Sequence, residues 1–491
     1  MAGGQTGAMT SRTRRYRKPM LAPLLLAGAL AGCATPKAPT PEPNAGVALP
    51  AAWSGAAQTP AGAASLAAWW QRFDDPALSA LITQALQANT DLETARAALR
   101  QSRALAQAQA ATLGPSVDAS GSAQRSRSAG SPAGNALRAG LDASWAPDVF
   151  GARRSASNAA EFDAQASAAS LGNVQVAVAA EVALAYITLR GTEARLAIAQ
   201  ANLEAQEETL QITQWRVQAG LATSIDAEQA RAAVEQTRAQ RLALQTGVAQ
   251  SRQRLALLTG RPVGALVLPA GTAQPQAPAD LALAFPAETL RQRADVRAAE
   301  LRVRAAAQRV AQADAARYPS FQLSGSLGLS ALTLSGLTAG GAAFGSLLAG
   351  VSAPVFDGGA ATAQLRAQQA AFDQARAAYR ATVLGALGDV EDALAALQGD
   401  RERVQHLRSA AEAAANAALL ARQRYASGLT DFQTVLETQR TQLGAQDSVA
   451  SSIADLAADH VRLYQALGGG WTPEGSTEPP ALAQDEHHEL R

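Results

Sequence analysis

"RYASGLTDFQTVLETQR", residues 424–440, interrupts what otherwise reads as a very long helix with the breaker Ser427-Gly428. "RVQAGLATSIDAEQA", residues 216–230, has the same form: Arg216, three residues, Gly220-Leu221, then helix again. The two glycines lie 208 residues apart. Glycine adopts positive φ at little cost and commonly stands just past a helix end. Each stretch therefore reads as the tip of a helical hairpin.

The flanking segments support long helices. No proline occurs between Pro147 and Pro262, or between Pro354 and Pro473, and a proline inside a helix costs about 3 kcal/mol. In the first window Val182, Leu189, Leu196, Leu203, Leu210 and Val217 recur every seven residues. That is the period of a coiled-coil seam. The same register returns 208 residues later as Val390, Leu397, Val404, Ala411, Ala418 and Tyr425. Gly151 with Gly359, Glu181 with Asp389 and Gly260 with Gly468 share that offset, whereas upstream Asp91 with Asp295, Leu99 with Val303 and Pro115 with Pro319 are 204 apart. The chain is a tandem duplication with a four-residue difference in a loop.

Each unit reads helix, strand pair, long helix, turn, helix. In "PSVDASGSAQ" (115–124) Val117, Ala119, Gly121 and Ala123 alternate with Ser116, Asp118, Ser120 and Ser122. "LRAGLDASW" (137–145) and "SFQLSGSLGLS" (320–330) alternate in the same way. Period two gives each strand one apolar and one small polar face, and about 10 residues suffice for a membrane-spanning β-strand. A soluble hairpin on a core is the other reading, but a face of Ala and Gly is poor core and adequate against lipid. Four strands are too few to close a barrel, which begins at about eight strands in single-chain proteins. An open edge is not tolerated in lipid, so a membrane sheet requires several copies to contribute strands.

Composition excludes other classes. The 42 Lys+Arg and 41 Asp+Glu give +1, but Arg12, Arg14, Arg15, Arg17 and Lys18 precede residue 33 with no acid among them, leaving the remainder at −4. There is no basic footprint for nucleic acid. The N-terminus reads as an export signal: a basic region, the apolar stretch "MLAPLLLAGALAG", then Cys33, the chain's one cysteine. Leu30-Ala31-Gly32-Cys33 is similar to a bacterial lipobox, whose thiol carries diacylglycerol and whose amine is N-acylated; a small buried hydrophobe is the alternative. The Ala at position 34, with no Asp there, favours outer-membrane sorting among such lipoproteins. Disulfides and thiolate metal sites are excluded. All three methionines (Met1, Met9, Met20) lie in the leader, so the mature chain has no thioether relay for copper or silver. His406, His460 and the pair His487-His488 have no metal-ligand partner at suitable spacing, and no nucleophile elbow or phosphate loop is present. An enzyme and a metal cofactor are not expected.

With the duplication, strand pairs and lipobox in view, the chain resembles the TolC-type outer-membrane factors, in particular the NodT-like lipoprotein branch of efflux outer-membrane subunits. "WWQRFDDPALSALITQALQANTDLETARAAL" (69–99) matches that family's N-terminal helix in Trp70, Phe73, Asp75-Pro76, Leu78, Asn89, Asp91 and Leu92. "LRQRADVRAAE" (290–300) is its counterpart in the second unit, with Ala294 where the family commonly has proline. The resemblance implies a mainly α, tandem-duplicated TolC-like fold: a long α-helical coiled-coil barrel, with four β-strands per chain completing a 12-stranded barrel in a homotrimer. It implies a passive exit duct of a tripartite efflux pump for small molecules, partnered by a periplasmic adaptor and an RND-type inner-membrane transporter. A type I protein-secretion duct shares the fold, and a pore-free periplasmic spacer is the structural alternative, though a spacer has no use for alternating strands.

The expected organisation is a signal peptide (1–32), a Pro/Ala/Thr/Gly-rich flexible tether (33–65), a first repeat (66–260), a linker (261–286), a second repeat (287–470) and a disordered tail (471–491). Strands are expected at about 115–126, 137–147, 319–330 and 343–354. As one helix, 152–218 would run ~100 Å at 1.5 Å per residue. By resemblance, Gly220, Leu221, Gly428 and Leu429 form tips that meet the adaptor; as bare geometry they are turns whose leucines could fold back. Glu437 matches a carboxylate lining the family's periplasmic constriction, while Thr434 stands where TolC has a second aspartate. Without that match Glu437 is a solvated surface charge near a helix N-terminus.

Overall fold

A computed structural model of the chain describes residues 38–40, 46–50, 52–53, 66–127, 134–269, 273–276, 290–338 and 342–472. Cys33, His487 and His488 lie outside the described residues, as do the signal peptide and nearly all of the expected tail. After a short 3-10 segment, Leu66–Phe73, come α1 (Pro76–Ala88) and α2 (Thr90–Ala111), then β1 (Ser116–Ser126), β2 (Gly134–Trp145), α3 (Ala152–Gln218) and α4 (Ser224–Leu258). The second repeat has α5 (Ala294–Ala315), β3 (Ser320–Ala331), β4 (Ala343–Ser352), α6 (Ala360–Ala426) and α7 (Phe432–Ala466). The duplication is metric: α3 and α6 are both 67 residues long, and α4 and α7 both 35. Ala294 opens α5, so the residue standing in place of the family's proline still starts the helix.

The described chain forms two compact units. One comprises Leu113–Ser155 and Ala311–Leu365 and holds the sheet, in the order β1-β2-β3-β4, antiparallel throughout. β1 and β4 each have one partner, so both outer edges offer unpaired backbone among the described residues. Near the helix-bearing end, Phe150 stacks on Tyr318 at 5.0 Å, and Trp145 donates from Nε1 to the Leu113 carbonyl at 3.0 Å.

The other unit, Pro39–Thr112, Ala156–Val310 and Arg366–Arg491, is helical. Asp75 caps α1 by accepting from the Ala77 and Leu78 amides at 2.9 and 3.0 Å, with Pro76 at the position where a missing N–H costs nothing. That cap sets Leu78, Leu81, Ile82 and Ala85 on one face, which joins Trp69, Leu92, the middle of α3 (Val178 to Leu189) and the ends of α4 and α7 in one core. Leu78, Ile82 and Leu92 are fully buried, each contributing about 2–3 kcal/mol. The apolar length of α3 would suffice to cross a membrane, but half of that stretch is buried in the chain itself. All twelve residues of the two seven-residue registers are buried or half-buried.

One expectation needs correcting. The region 33–65 does not behave throughout as a free tether: Trp53 is 4% exposed and packs with Val390, Leu394, Leu397 and Leu463, while Val47 and Leu49 lie against the cluster of Val303, Tyr379 and Val383. Val47, Leu49 and Trp53 show no period in the sequence, because the surfaces they pack on are made by other elements. At the other end Trp471, placed in the tail by composition, donates to the Gln292 carbonyl at 2.9 Å.

Candidate functional site

The hairpin tips are built by backbone chemistry. Gly220 has φ +74° and Gly428 φ +73°. At the first, the Leu221 amide donates back to the Arg216 carbonyl at 2.7 Å and the Gly220 amide to Val217 at 3.0 Å; at the second, Leu429 reaches Arg424 at 2.9 Å and Gly428 reaches Tyr425 at 3.0 Å. This is the Schellman arrangement, which satisfies the last helical carbonyls through one left-handed residue. The returning helices start on side-chain caps: Thr223 and Asp226 form a reciprocal capping box, and Asp431 accepts from the Thr434 amide at 2.9 Å and its hydroxyl at 2.6 Å. Those bonds hold the Asp431 carboxyl below the usual aspartate range. The geometry leaves the C″ leucines outside: Leu221 is 74% and Leu429 76% exposed, so neither folds back on its helix.

Behind the tips the two hairpins are tied together. Arg216, at the end of α3, donates from Nη1 to the Tyr425 carbonyl at 2.9 Å and lays its guanidinium 4.3 Å from the centre of the Tyr425 ring. Tyr425 in turn meets Phe432 at 5.8 Å, and Ala230, Ala233, Val435 and Leu436 close the cluster. Above it the contact turns polar: Gln439 donates to the Thr209 hydroxyl (3.0 Å), Asn202 to Gln446 (2.9 Å), and Arg195 grips Asp447 with two bonds (2.7 and 2.9 Å), while within the first hairpin Thr237 donates to Gln206 (2.7 Å). Neither the Arg216–Tyr425 tie nor this polar ladder was legible in the sequence. The partners joining the two hairpins are more than two hundred residues apart, and no local pattern marks them.

Glu437 lies exposed in the second turn of α7. The corresponding residue of α4 in the first repeat is Gln229, which accepts from Gln433 at 2.8 Å. The hairpins thus present one carboxylate at this level where the first repeat has an amide. Thr434 is engaged in the Asp431 cap. Among the described residues no group of three His, Cys, Asp or Glu side chains is arranged to hold a metal. His406 is exposed on α6, whereas His460 is buried.

Within the sheet unit the register sorts the strands into two faces. Val117, Ala119, Gly121 and Ala123 sit opposite Ala143, Leu141, Ala139 and Leu137, and these opposite Gly325, Leu327, Leu329 and Ala331. Leu347, Ala349 and Val351 extend the same face through β4. The other face carries Ser116, Asp118, Ser120 and Ser122 beside Ser144, Asp142 and Arg138, then Ser324, Ser326 and Ser330. Leu141, Leu327, Leu347 and Val351 are exposed although large and apolar. An apolar face this continuous, uncovered by the chain itself, suits hydrocarbon rather than water.

Comparison with known proteins bears on the same features. The family model described as outer membrane efflux protein matches residues 81–261 and 285–469, the two repeats. The chain is 34% identical to outer membrane protein OprJ of Pseudomonas aeruginosa over 468 residues, covering 93% of this chain and 97% of that one. It is 34% identical to the pyoverdine export outer membrane protein OpmQ of Pseudomonas putida (93% and 98%) and 29% identical to nodulation protein T of Rhizobium leguminosarum (94% and 98%). Among solved structures it resembles the outer-membrane channel OprN (TM-score 0.82, 33% identity, 88% of this chain and 99% of that one). It also resembles the open state of the MtrE outer membrane channel of Neisseria gonorrhoeae (0.81, 29%, 89% and 99%). With both repeats matched and the tips, two-faced sheet and duplication in place, the chain belongs to the outer membrane efflux protein family and is an outer-membrane exit duct for efflux.

Proposed function

We propose that the chain works as a homotrimer whose three sheets close a 12-stranded barrel in the outer membrane, serving as the passive duct of a tripartite pump that exports small molecules. The reading is carried by the sheet: one face is apolar and exposed, the other is polar apart from Phe344 and Leu348 of β4, and both edges are unpaired within the chain. Backbone left unpaired in lipid costs several kcal/mol per group, and pairing the β4 of one copy with the β1 of the next removes that cost. Lipid on Cys33 anchors the chain to the same membrane. The exposed tips Gly220-Leu221 and Gly428-Leu429 dock a periplasmic adaptor, which connects the duct to an RND-type inner-membrane transporter. Glu437 provides one carboxylate ring at the periplasmic constriction, attracting cations and repelling anions.

The experiment takes purified, detergent-solubilised protein. Mass measurement should give three copies, each beginning at an acylated Cys33, and planar bilayers should record cation-selective pores. Glu437→Ala should lower cation selectivity, read as the reversal potential in a salt gradient. A stable monomer without pores would overturn the trimeric duct, and equal selectivity in both proteins would remove Glu437 from the gate.

A further inference from the structure

The polar face of the sheet contains an aromatic ring that its alternation does not call for. Phe344 of β4 stands on that face opposite Gly328 of β3, which stands opposite Gly140 of β2. A Cβ at Gly328 would lie 2.5 Å from the Ala139 carbonyl oxygen, 2.8 Å from the Gly140 Cα and 3.1 Å from the Phe344 ring; one at Gly140 would lie 2.9 Å from the Leu327 carbonyl oxygen. The two glycines make a floor that only bare backbone can provide, and the ring packs against it.

One row nearer the β1–β2 connection, on the same face, Arg138 places its guanidinium carbon 5.3 Å from the Phe344 ring centre. Arg138 is exposed and Phe344 half-buried. The cross-strand neighbours of Arg138 are Ser122 and Ser330, and among the described residues it has no carboxylate partner. The acids of this face stand two rows further along: Asp118 opposite Asp142, the latter accepting from Ser120 at 2.6 Å. At ~3.4 Å per residue, Asp142 is ~14 Å along the strand from Arg138. It lies beyond the reach of a direct ion pair.

We propose that Arg138 and Phe344 form a subsite for exported organic anions with an aromatic body, repeated around the lumen near the end of the barrel that carries the β1–β2 and β3–β4 connections. The inference rests on the barrel proposed above, in which the apolar face meets lipid and the polar face therefore lines the pore. A guanidinium resting on an aromatic ring is orientationally restrained while its outer N–H fork remains available. That fork takes a carboxylate or sulfonate with two parallel bonds, and the ring offers a flat apolar surface beside it. With no Cβ at Gly328, the Phe344 ring can approach the sheet closely. Water around it keeps the attraction weak enough for release, as conduction demands.

Single-channel recording of the full chain in planar bilayers tests this, with naphthalene-2-sulfonate and methanesulfonate as probes added from the loop side. Wild type should show brief blockades by naphthalene-2-sulfonate, with the dwell time shortened roughly tenfold in Arg138→Gln, the order expected for losing a charge-assisted hydrogen bond. Arg138→Lys, which keeps the charge but not the fork, should fall between. Phe344→Leu should shorten the naphthalene-2-sulfonate blockades and leave the weaker methanesulfonate response unchanged. Normal pores with equal naphthalene-2-sulfonate dwell times in wild type and Arg138→Gln would overturn the subsite alone. Absence of pores from the wild-type protein would overturn the duct reading, and the subsite with it.

Discussion

Arg293 donates from Nη1 to the backbone carbonyl of Ala466 across 2.7 Å, closing the second repeat where Asn89 closes the first by donating to the Leu258 carbonyl at 3.0 Å. Asn89 and Arg293 are counterparts, as are Leu258 and Ala466. Each joins the start of a short helix to the last turn of a returning one. The second repeat uses a charge: Arg293 also holds Asp295 through two bonds (3.0 and 2.7 Å) and Asp389 at 3.0 Å. Burial alone would raise the Asp295 carboxyl, but the guanidinium and the Val296 amide bring it below its ordinary value.

Arg293→Ala should therefore destabilise the fold by about 2–4 kcal/mol, since it takes the guanidinium donor from the Ala466 carbonyl and leaves the half-buried Asp295 carboxylate without its countercharge. Arg293→Lys should recover part of this. Because the Asp295 carboxyl is depressed in the folded chain, its share is present at neutral pH and lost as pH falls through and below the ordinary aspartate range. Thermal midpoints of the three proteins at pH 7 and pH 3 give the check, with the gap between wild type and Arg293→Ala narrowing at the lower pH.

Gly260 and Gly220 share a left-handed backbone (φ +68° and +74°) but differ in the room around them. A Cβ at Gly260 would sit 2.4 Å from the Ala88 carbonyl oxygen; at Gly220 nothing lies within 4 Å. Gly220→Ala should cost about 1 kcal/mol, the conformational term alone. For Gly260→Ala the clash adds to that term, and a loss of about 3 kcal/mol or more is expected. Equal denaturation midpoints would show that the close approach to Ala88 relaxes freely.

Leu221→Asp and Leu429→Asp should each leave thermal stability within about 0.5 kcal/mol of wild type, because both side chains are exposed and make no core contact. Export in cells and capture of the adaptor by the purified duct should fall sharply in each. Full export by both variants would place the adaptor contact elsewhere.

His460 is 1% exposed in α7, and burial, with Arg401 and Arg72 facing it, pushes its pKa down to about 4. The folded chain resists a proton that the unfolded chain accepts from about pH 6.5 downward. Its contribution is thus complete above pH 6.5 and falls as pH drops toward 4, by up to about 3 kcal/mol. The adjacent Asp459 titrates in the opposite sense, its carboxyl raised chiefly by burial despite the Arg462 pair. Comparing melting midpoints of wild type and His460→Gln across pH 7 to 4 isolates the histidine: the variant should have the shallower fall.

The helix from 152 to 218, both tip glycines and the strand alternation were legible because each depends on residues within one or two turns or pleats of one another, and the repeat because those same local signals recur at a fixed offset of 208 residues. Proline-free windows, a seven-residue period, a glycine at a helix end and a period of two all act through local backbone geometry. In these elements the structure moved only edges, as with β2, which begins at Gly134 rather than near 137. What the tertiary structure alone decided was partnership. Trp53 enters a groove between α6 and α7, Arg216 stacks on Tyr425, His460 is enclosed beside two arginines, and Phe344 lies on a glycine floor under Arg138. Each of these depends on residues tens to hundreds of positions apart. Burial, a cation over a ring and a shifted pKa come into being only when folding places those residues side by side, whereas a period in the chain is there before it folds.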